Sequence, residues 1–316
     1  MSPSPSTQRF LLYSWAFLSI LVLPATLYGL WRQESSAPAY FLAMPSFLFL
    51  ILIGRWDLVS YGLRHLVIFA FLLLAWYKWG WVLPTLTVAS LWYVWFLLSR
   101  PGPGPTVELQ FPLYRGTFCV VQGGATSWVN RHHVSVSQRF ALDVVALHRV
   151  GARAKGIYPS RLENYRIFGE KVYSPCGGII TAAVDHLPDM PPAQLDTKNI
   201  AGNYIVIRLD EKDICVGLAH LQQGSVSIKP GEHVQPGQLI ARVGNSGNTT
   251  EPHLHIHAKR GGMPNSMLDG EGVPMSFGGR WFIRNSIVQS RVPAAVHHRK
   301  DGAAVPDSKR YAPSAR

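Results

Sequence analysis

Cysteine is scarce in this chain, which has three in 316 residues: Cys119, Cys176 and Cys215. An odd number of cysteines without any CxxC spacing indicates neither a disulfide framework nor a thiolate zinc site. Each of them stands in an apolar, strand-like run, where a free thiol usually packs as a small hydrophobe. We therefore expect nitrogen and oxygen ligands for any metal that the chain binds.

Acidic residues are also few. The chain has 18 Asp and Glu against 30 Lys and Arg, and its net charge is +12. This balance suits anionic partners such as acidic lipid or cell-wall polymer. Zinc-finger spacing, an RNP-like aromatic motif and a basic recognition helix are all missing, so we predict no nucleic-acid partner. The sequence contains no signal for an oligomeric state.

Charge is nearly absent from long stretches of the first 100 residues. Residues 10–31 form an uncharged run of about 22 residues, long enough to cross a bilayer as a helix. Further apolar segments follow at 40–53, 60–76 and 79–98. We predict an N-terminal α-helical transmembrane bundle in residues 1–100, with about four helices or else three, and a lipid bilayer as a partner.

The remaining chain divides by composition into three parts. The proline- and glycine-rich residues 101–105 cannot continue a helix and are predicted to be a linker. Residues 106–290 contain short runs rich in Val, Ile and Phe between Gly, Pro and Asn, a pattern that predicts a C-terminal, mainly β domain. Within it, the polar residues 185–200 are predicted to cover the surface or the cleft. Residues 291–316 are polar and basic and are predicted to be a disordered tail.

The stretch EPHLHIHAKR, Glu251–Arg260, carries the clearest chemical signal. Its histidines alternate with apolar residues, so on a β-strand His253, His255 and His257 share one face. A turn-forming segment, GNSGNTTEP, fixes where this strand begins. The pattern favours a metal site over a strand edge with solvated histidines.

A catalytic zinc usually has three protein ligands from His, Asp or Glu and leaves a fourth position to water. His255 provides one such ligand. Upstream, the segment NRHHVSVSQRFALDVV offers His132 or His133 and then Asp143. Two histidines and one aspartate suit Zn²⁺, which we predict as the cofactor.

Two further histidines, His220 in GLAHL and His253, are predicted to flank the open position of the metal. Zinc lowers the pKa of its bound water to near 7, and a neutral imidazole nearby accepts the proton during attack on a carbonyl. The resulting imidazolium stabilises the oxyanion or protonates the leaving amine.

From about Gly123 to Lys259 the chain resembles the M23 family of zinc metallopeptidases, the lysostaphin and LytM type. The resemblance lies in an ordered set of motifs: VYSPCGGII, GNYIVI, GLAHL, VQPGQLIARVGNSGNTTEP and PHLHIH. It implies a small β-rich fold with a groove over the zinc. It also implies a metalloendopeptidase that cleaves stem peptides or cross-bridges of peptidoglycan.

The resemblance also implies roles for single residues. The HxH pair implies His253 as catalytic and His255 as a ligand, AHL implies His220 as catalytic, and ALD implies Asp143 as a ligand. The first histidine departs from the common HxxxD spacing, because VSVSQRF separates it from Asp143. The similarity to a subgroup with an N-x-H and QRYALD arrangement favours His132 over His133.

Two other functions compete with this interpretation. A degenerate M23-like domain would bind and regulate a cell-wall enzyme, but it would be expected to lack ligands, and here the expected positions are filled. A cupin-like metal oxidase would need a carboxylate soon after HxH, whereas the next acidic residue is Asp269.

The charge bias of the N-terminal loops favours a cytoplasmic C-terminal domain, but only by about four basic residues to two. Because assembled peptidoglycan lies outside the cytoplasmic membrane, we expect a multi-pass protein of the cell membrane whose peptidase domain is periplasmic or extracytoplasmic.

Overall fold

The computed structural model describes residues 47, 51–52, 54–79, 87–92, 94, 104–210 and 212–291. Before residue 104 the described chain is mainly helical: a 3₁₀ turn, Trp56–Leu58, leads into helix α1, Tyr61–Trp79. Two further 3₁₀ turns are Arg131–Val134 and Leu162–Asn164. The strands are β1 Val107–Leu109, β2 Gly116–Gln122, β3 Leu142–Leu147, β4 Lys171–Tyr173, β5 Gly178–Val184, β6 Asn203–Leu209, β7 Ile214–Leu221, β8 His233–Val234, β9 Leu239–Arg242, β10 Leu254–Arg260, β11 Glu271–Val273, β12 Met275–Phe277 and β13 Ile287–Ser290.

One 9-stranded sheet dominates the molecule. Its order is β13-β2-β3-β10-β7-β6-β5-β8, with β11 also paired to β10. All of its pairs are antiparallel. Two small pairs lie beside it, a parallel one of β1 with β12 and an antiparallel one of β4 with β9. The prediction of a mainly β C-terminal part is confirmed.

Strict alternation decides what each face of this sheet carries. Leu254 and Ile256 of β10 enter the main apolar core, together with Leu142 and Val144 of β3. The intervening residues of the same strands, including Asp143 and His255, are buried on the opposite face. The face without the main core is thus the one that carries the predicted metal ligands.

Part of that second face is covered by the N-terminal residues. Apolar side chains from both sides form one cluster: Phe47, Ile51, Trp56, Tyr61, Phe71, Cys119, Val121, Val145 and Leu147. The hydroxyl of Tyr61 lies 2.8 Å from Cys119 Sγ and donates to Asn285 Oδ1 at 2.7 Å. Residues 54–61, which we call the N-terminal segment, therefore pack directly on β2 and β3.

The prediction of a four-helix transmembrane bundle is wrong. Among the described residues, no helix is both long enough and apolar enough to cross a membrane. The predicted span 10–31 and most of 40–53 lie outside these residues, as does part of 79–98. Helix α1 covers the remaining segment, but charged or polar residues stand near both of its ends, and Phe71 packs on the sheet cluster. Its apolar residues resemble those of a membrane span although some of them cover protein.

The predicted domain limits at 100–105 stay a prediction. Within the predicted linker, residues 101–103 lie outside the described part of the chain, and so does the predicted disordered tail from residue 292 onward.

Candidate metal centre and proton-transfer histidines

Three predicted ligands, His132, Asp143 and His255, lie together on the sheet face. One possible ligand atom from each lies within 4.8 Å of the others. Nε2 of His132 is 2.9 Å from one carboxylate oxygen of Asp143, and Nδ1 of His255 is 2.9 Å from the other. Two imidazole nitrogens and a carboxylate, all facing one point, are a donor set that fits Zn²⁺.

Strand register brings two of these residues together. Asp143 of β3 and His255 of β10 are direct partners in the antiparallel pairing. Directly opposite residues present their side chains on the same face, about 5 Å apart. The pairing of β3 with β10 thus brings together two residues that are far apart in the sequence. A shift of this register by one residue would turn either side chain towards the main core.

His132 reaches the site from a 3₁₀ turn that Asn130 holds in place. The side chain of Asn130, fully buried, accepts a hydrogen bond from the His132 amide and donates to the carbonyls of Gly124 and Ala141. His133 points elsewhere, since its Nδ1 lies 3.2 Å from the Arg139 carbonyl. The structure therefore places His132, and not His133, beside Asp143.

Electrostatics prepare these groups for a cation. Burial alone would raise the pKa of Asp143, but the nearby rings of His132 and His253 hold that pKa well below its usual range. Burial lowers the pKa of His255, against the opposing effect of its contact with Asp143. An ionised carboxylate beside a neutral imidazole is the protonation state that metal binding requires.

His220 and His253 lie beside this cluster. Their ring centroids are 4.7 Å apart, and the His220 ring is 6.0 Å from that of His255. Nδ1 of His220 lies 2.9 Å from the Ser246 carbonyl, and Nδ1 of His253 lies 2.8 Å from the Glu251 carbonyl. A carbonyl only accepts, so both rings carry a proton on Nδ1, and in the neutral form of either ring Nε2 is the proton acceptor.

Backbone geometry contributes to the placement of His220. Its φ is +60°, a left-handed conformation that a residue with a side chain adopts rarely. The amide of His220 donates to the Ala201 carbonyl, and its carbonyl accepts from Gly244. Burial and the neighbouring His253 hold the pKa of His220 well below its ordinary value, so the ring is neutral.

The third histidine of the PHLHIH motif, His257, contacts the predicted ligand His255. Its Nδ1 is 3.1 Å from Nε2 of His255, and the ring is 1% exposed. When Nδ1 of His255 faces a metal, its Nε2 carries the proton and donates to His257. Gly217 on the paired strand leaves room for this ring, because a Cβ there would lie 3.0 Å from His257 Cε1.

Several supporting residues were not predicted from the sequence. Asn130, Ser246 and Thr249 are polar, buried and bonded to the backbone or rings of the site. Only Asn130 had a signal, the N-x-H spacing. Asn203 of the GNYIVI motif is also fully buried, and its side chain binds the amide and the carbonyl of Leu187.

The predicted covering segment 185–200 lies along the turn before β10. The Met190 amide donates to the Asn245 carbonyl, and the side chain of Asn245 donates to the Met190 carbonyl. The Ala193 amide donates to the Thr250 carbonyl. The Asp189 carboxylate accepts from the Asn245 amide at 2.6 Å. This segment therefore packs against the turn that leads into His253 and β10.

Residues 165–266 match the model of Peptidase family M23. The matched segment includes His220, His253 and His255, and it begins after His132 and Asp143. The part of the chain that carries the paired histidines is thus similar to Peptidase family M23. The other two predicted ligands, His132 and Asp143, lie before the matched segment. The 3₁₀ turn Arg131–Val134 and the pairing of β3 with β10 bring them to His255.

Solved structures with similarity to the chain include a zinc-containing peptidase from Vibrio cholerae, at 30% identity over 30% of this chain and 24% of that one, with a TM-score of 0.23. Lysostaphin is 24% identical over 33% of this chain and 37% of its own, with a TM-score of 0.24. Pseudoalterin, an M23 metalloprotease from the deep sea, is 16% identical over 58% of this chain and 99% of its own, with a TM-score of 0.34. The chain thus spans well under half of the first two proteins.

Proposed function

We propose that this protein is a zinc metalloendopeptidase that hydrolyses peptide bonds in the stem peptides or cross-bridges of peptidoglycan. The observation that carries the proposal is the convergence of His132, Asp143 and His255 on one point, with the rings of His220 and His253 beside it. The match of residues 165–266 to Peptidase family M23 supports the same chemistry.

Zinc, when bound by His132, Asp143 and His255, would polarise the scissile carbonyl and lower the pKa of a water molecule to near 7. Side chains of the protein carry out the proton transfers. Nε2 of His253 or His220 accepts the proton that the attacking water loses, because Nδ1 of each ring is held by a backbone carbonyl. The same Nε2–H stabilises the oxyanion by a hydrogen bond and then passes its proton to the leaving nitrogen, so the proton ends on the departing amine.

The test uses the purified full chain, its zinc content and the release of peptides from isolated peptidoglycan. His220→Ala and His253→Ala are expected to retain zinc and to hydrolyse about 10² to 10⁴ times more slowly. His233→Ala is the matched control, since that histidine is exposed and pairs with Asp210. Zinc-loaded wild-type protein that binds peptidoglycan without cleaving it would instead support the degenerate, regulatory alternative.

We also propose that the site faces the periplasm or the cell exterior and that α1 contacts a lipid bilayer. The net charge of +12 suits an anionic wall or lipid surface. Leu66, Phe69 and Leu73 form an exposed apolar stripe at helical spacing on α1. A reporter fused after Pro293 should give an extracytoplasmic signal, and the chain should float with anionic vesicles. A cytoplasmic signal would contradict the location and the peptidoglycan substrate together.

A further inference from the structure

Four charged residues form a buried network that joins the N-terminal segment to the strand of the paired histidines. Arg55 donates to both oxygens of Asp57 at 2.8 Å and to Glu251 at 2.6 Å. Arg153 donates through Nε to Glu251 at 2.7 Å and lies 3.6 Å from Asp57. Each carboxylate is therefore held between two guanidinium groups, and the four charges cancel.

Burial makes this network a strong constraint. Asp57, Arg153 and Glu251 are 0%, 1% and 4% exposed. Burial alone would raise the pKa of Glu251, but Arg55 and Arg153 hold that pKa below its usual range, so the carboxylate stays ionised. Removing one partner of a buried ion pair leaves an uncompensated buried charge, which strongly destabilises the native arrangement. We expect the residues around that charge to rearrange.

Glu251 connects this network to His253. Its backbone carbonyl accepts the hydrogen bond from Nδ1 of His253 at 2.8 Å, and it also accepts one from Thr249 Oγ1 at 2.8 Å. The side chain of Glu251 thus fixes the residue whose carbonyl sets the plane and the tautomer of the His253 ring. Only Pro252, which is itself rigid and buried, lies between them.

We propose that Arg55 and Asp57, together with Arg153, position His253 for proton transfer through Glu251. The N-terminal segment is then part of the working site, and it acts on His253 through Glu251. This inference rests on the proposed function for its rate effect, whereas its structural effect on His253 is independent of any activity.

The experiment compares Arg55→Ala with Arg166→Ala in the full-length, zinc-loaded chain. Arg166 also pairs with a glutamate, Glu170, but outside this network. Arg55→Ala is expected to keep its zinc and its KM and to lose kcat by roughly 10- to 100-fold, as misplacement of a reacting group does. Arg166→Ala should leave kcat and KM unchanged.

A second readout is the ¹⁵N NMR signal of the His253 ring, which reports its tautomer and its Nδ1 hydrogen bond. In Arg55→Ala the single Nδ1–H form should give way to a mixture, and Arg55→Lys should restore it in part. If Arg55→Ala does not fold, Arg55→Lys is judged by the same two readouts. An unchanged ring signal with unchanged kcat overturns the proposal, and so does a parallel loss of zinc and fold in both variants.

The two readouts separate the two hypotheses. Wild-type protein without peptidase activity would contradict the proposed function, while the His253 signal would still decide the positioning role.

Discussion

At the scale of single residues, the first prediction concerns His255 in the proposed metal centre. This residue faces Asp143 through Nδ1 and His257 through Nε2. His255→Ala should weaken zinc binding by well over about 100-fold, more than the loss of an outer partner usually costs. Zinc content after dialysis measures the effect, and His133→Ala serves as a neighbouring control that should bind normally. Stoichiometric zinc in His255→Ala would contradict the ligand assignment.

A second residue-scale prediction concerns His257, which accepts from the far nitrogen of His255. Replacing it by Phe keeps an aromatic ring in the buried position but removes the acceptor. Partners of this kind typically contribute 10- to 100-fold to metal affinity, and we expect a loss of about that size. Competition with a zinc-chelating dye is the measurement. Equal affinities of wild type and His257→Phe would show that the histidine only fills space.

At the scale of structural elements, the turn before β6 is built around glycine. Gly202 has a φ of +61°, and a Cβ there would lie 2.2 Å from the Ser246 carbonyl oxygen, the acceptor for His220. Gly202→Ala should therefore lower the free energy of unfolding by more than the roughly 1–2 kcal/mol of left-handed strain, and should also slow hydrolysis.

The control for this prediction is Gly224→Ala. Gly224 has a φ of +71°, but its Cβ would meet nothing within 4 Å. Urea unfolding and peptide release from peptidoglycan are measured for both variants. Strain alone should destabilise Gly224→Ala without altering hydrolysis, so an equal effect of the two substitutions on hydrolysis would count against the role of the Ser246 contact.

The elements also show how far the sequence could predict the structure. Alternation in EPHLHIHAKR predicted a strand with His253, His255 and His257 on one face. β10 begins at Leu254, so the strand carries His255 and His257, and His253 lies just before it. Local pattern could not tell that Asp143 pairs with His255, because register between distant strands is a property of the whole sheet. The apolar residues of α1 were misread because lipid and a sheet face select the same side chains.

At the scale of the whole molecule, the charge network predicts a dependence of stability on pH. Asp57 and Glu251 have pKa values below their ordinary ones, after the opposing effect of burial, because of Arg55 and Arg153. Such carboxylates stabilise the fold above the pKa of the unfolded chain, about 4, and this stability is lost as the pH falls through the lower folded values. The fold should therefore weaken below about pH 4.

Glu251→Gln removes one of these carboxylates. The variant is expected to be less stable at neutral pH and to show a shallower loss of stability between about pH 4 and pH 2. Denaturant unfolding of zinc-free protein across that range is the measurement. Glu163→Gln is the control, since its side chain is 64% exposed. If wild type and Glu251→Gln lose stability equally between about pH 4 and pH 2, the contribution assigned to the network is ruled out.

The packing of the N-terminal segment over Cys119 also has a consequence for thiol chemistry. This cysteine is 0% exposed, and burial raises its pKa to about 12, so both access and thiolate formation are suppressed. An alkylating reagent can modify Cys119 only when the segment separates from β2. Cys176 and Cys215 lie in other parts of the sheet domain and respond to its opening instead. The rate of Cys119 labelling relative to these two therefore reports how often the segment leaves the sheet while the rest of the molecule stays folded.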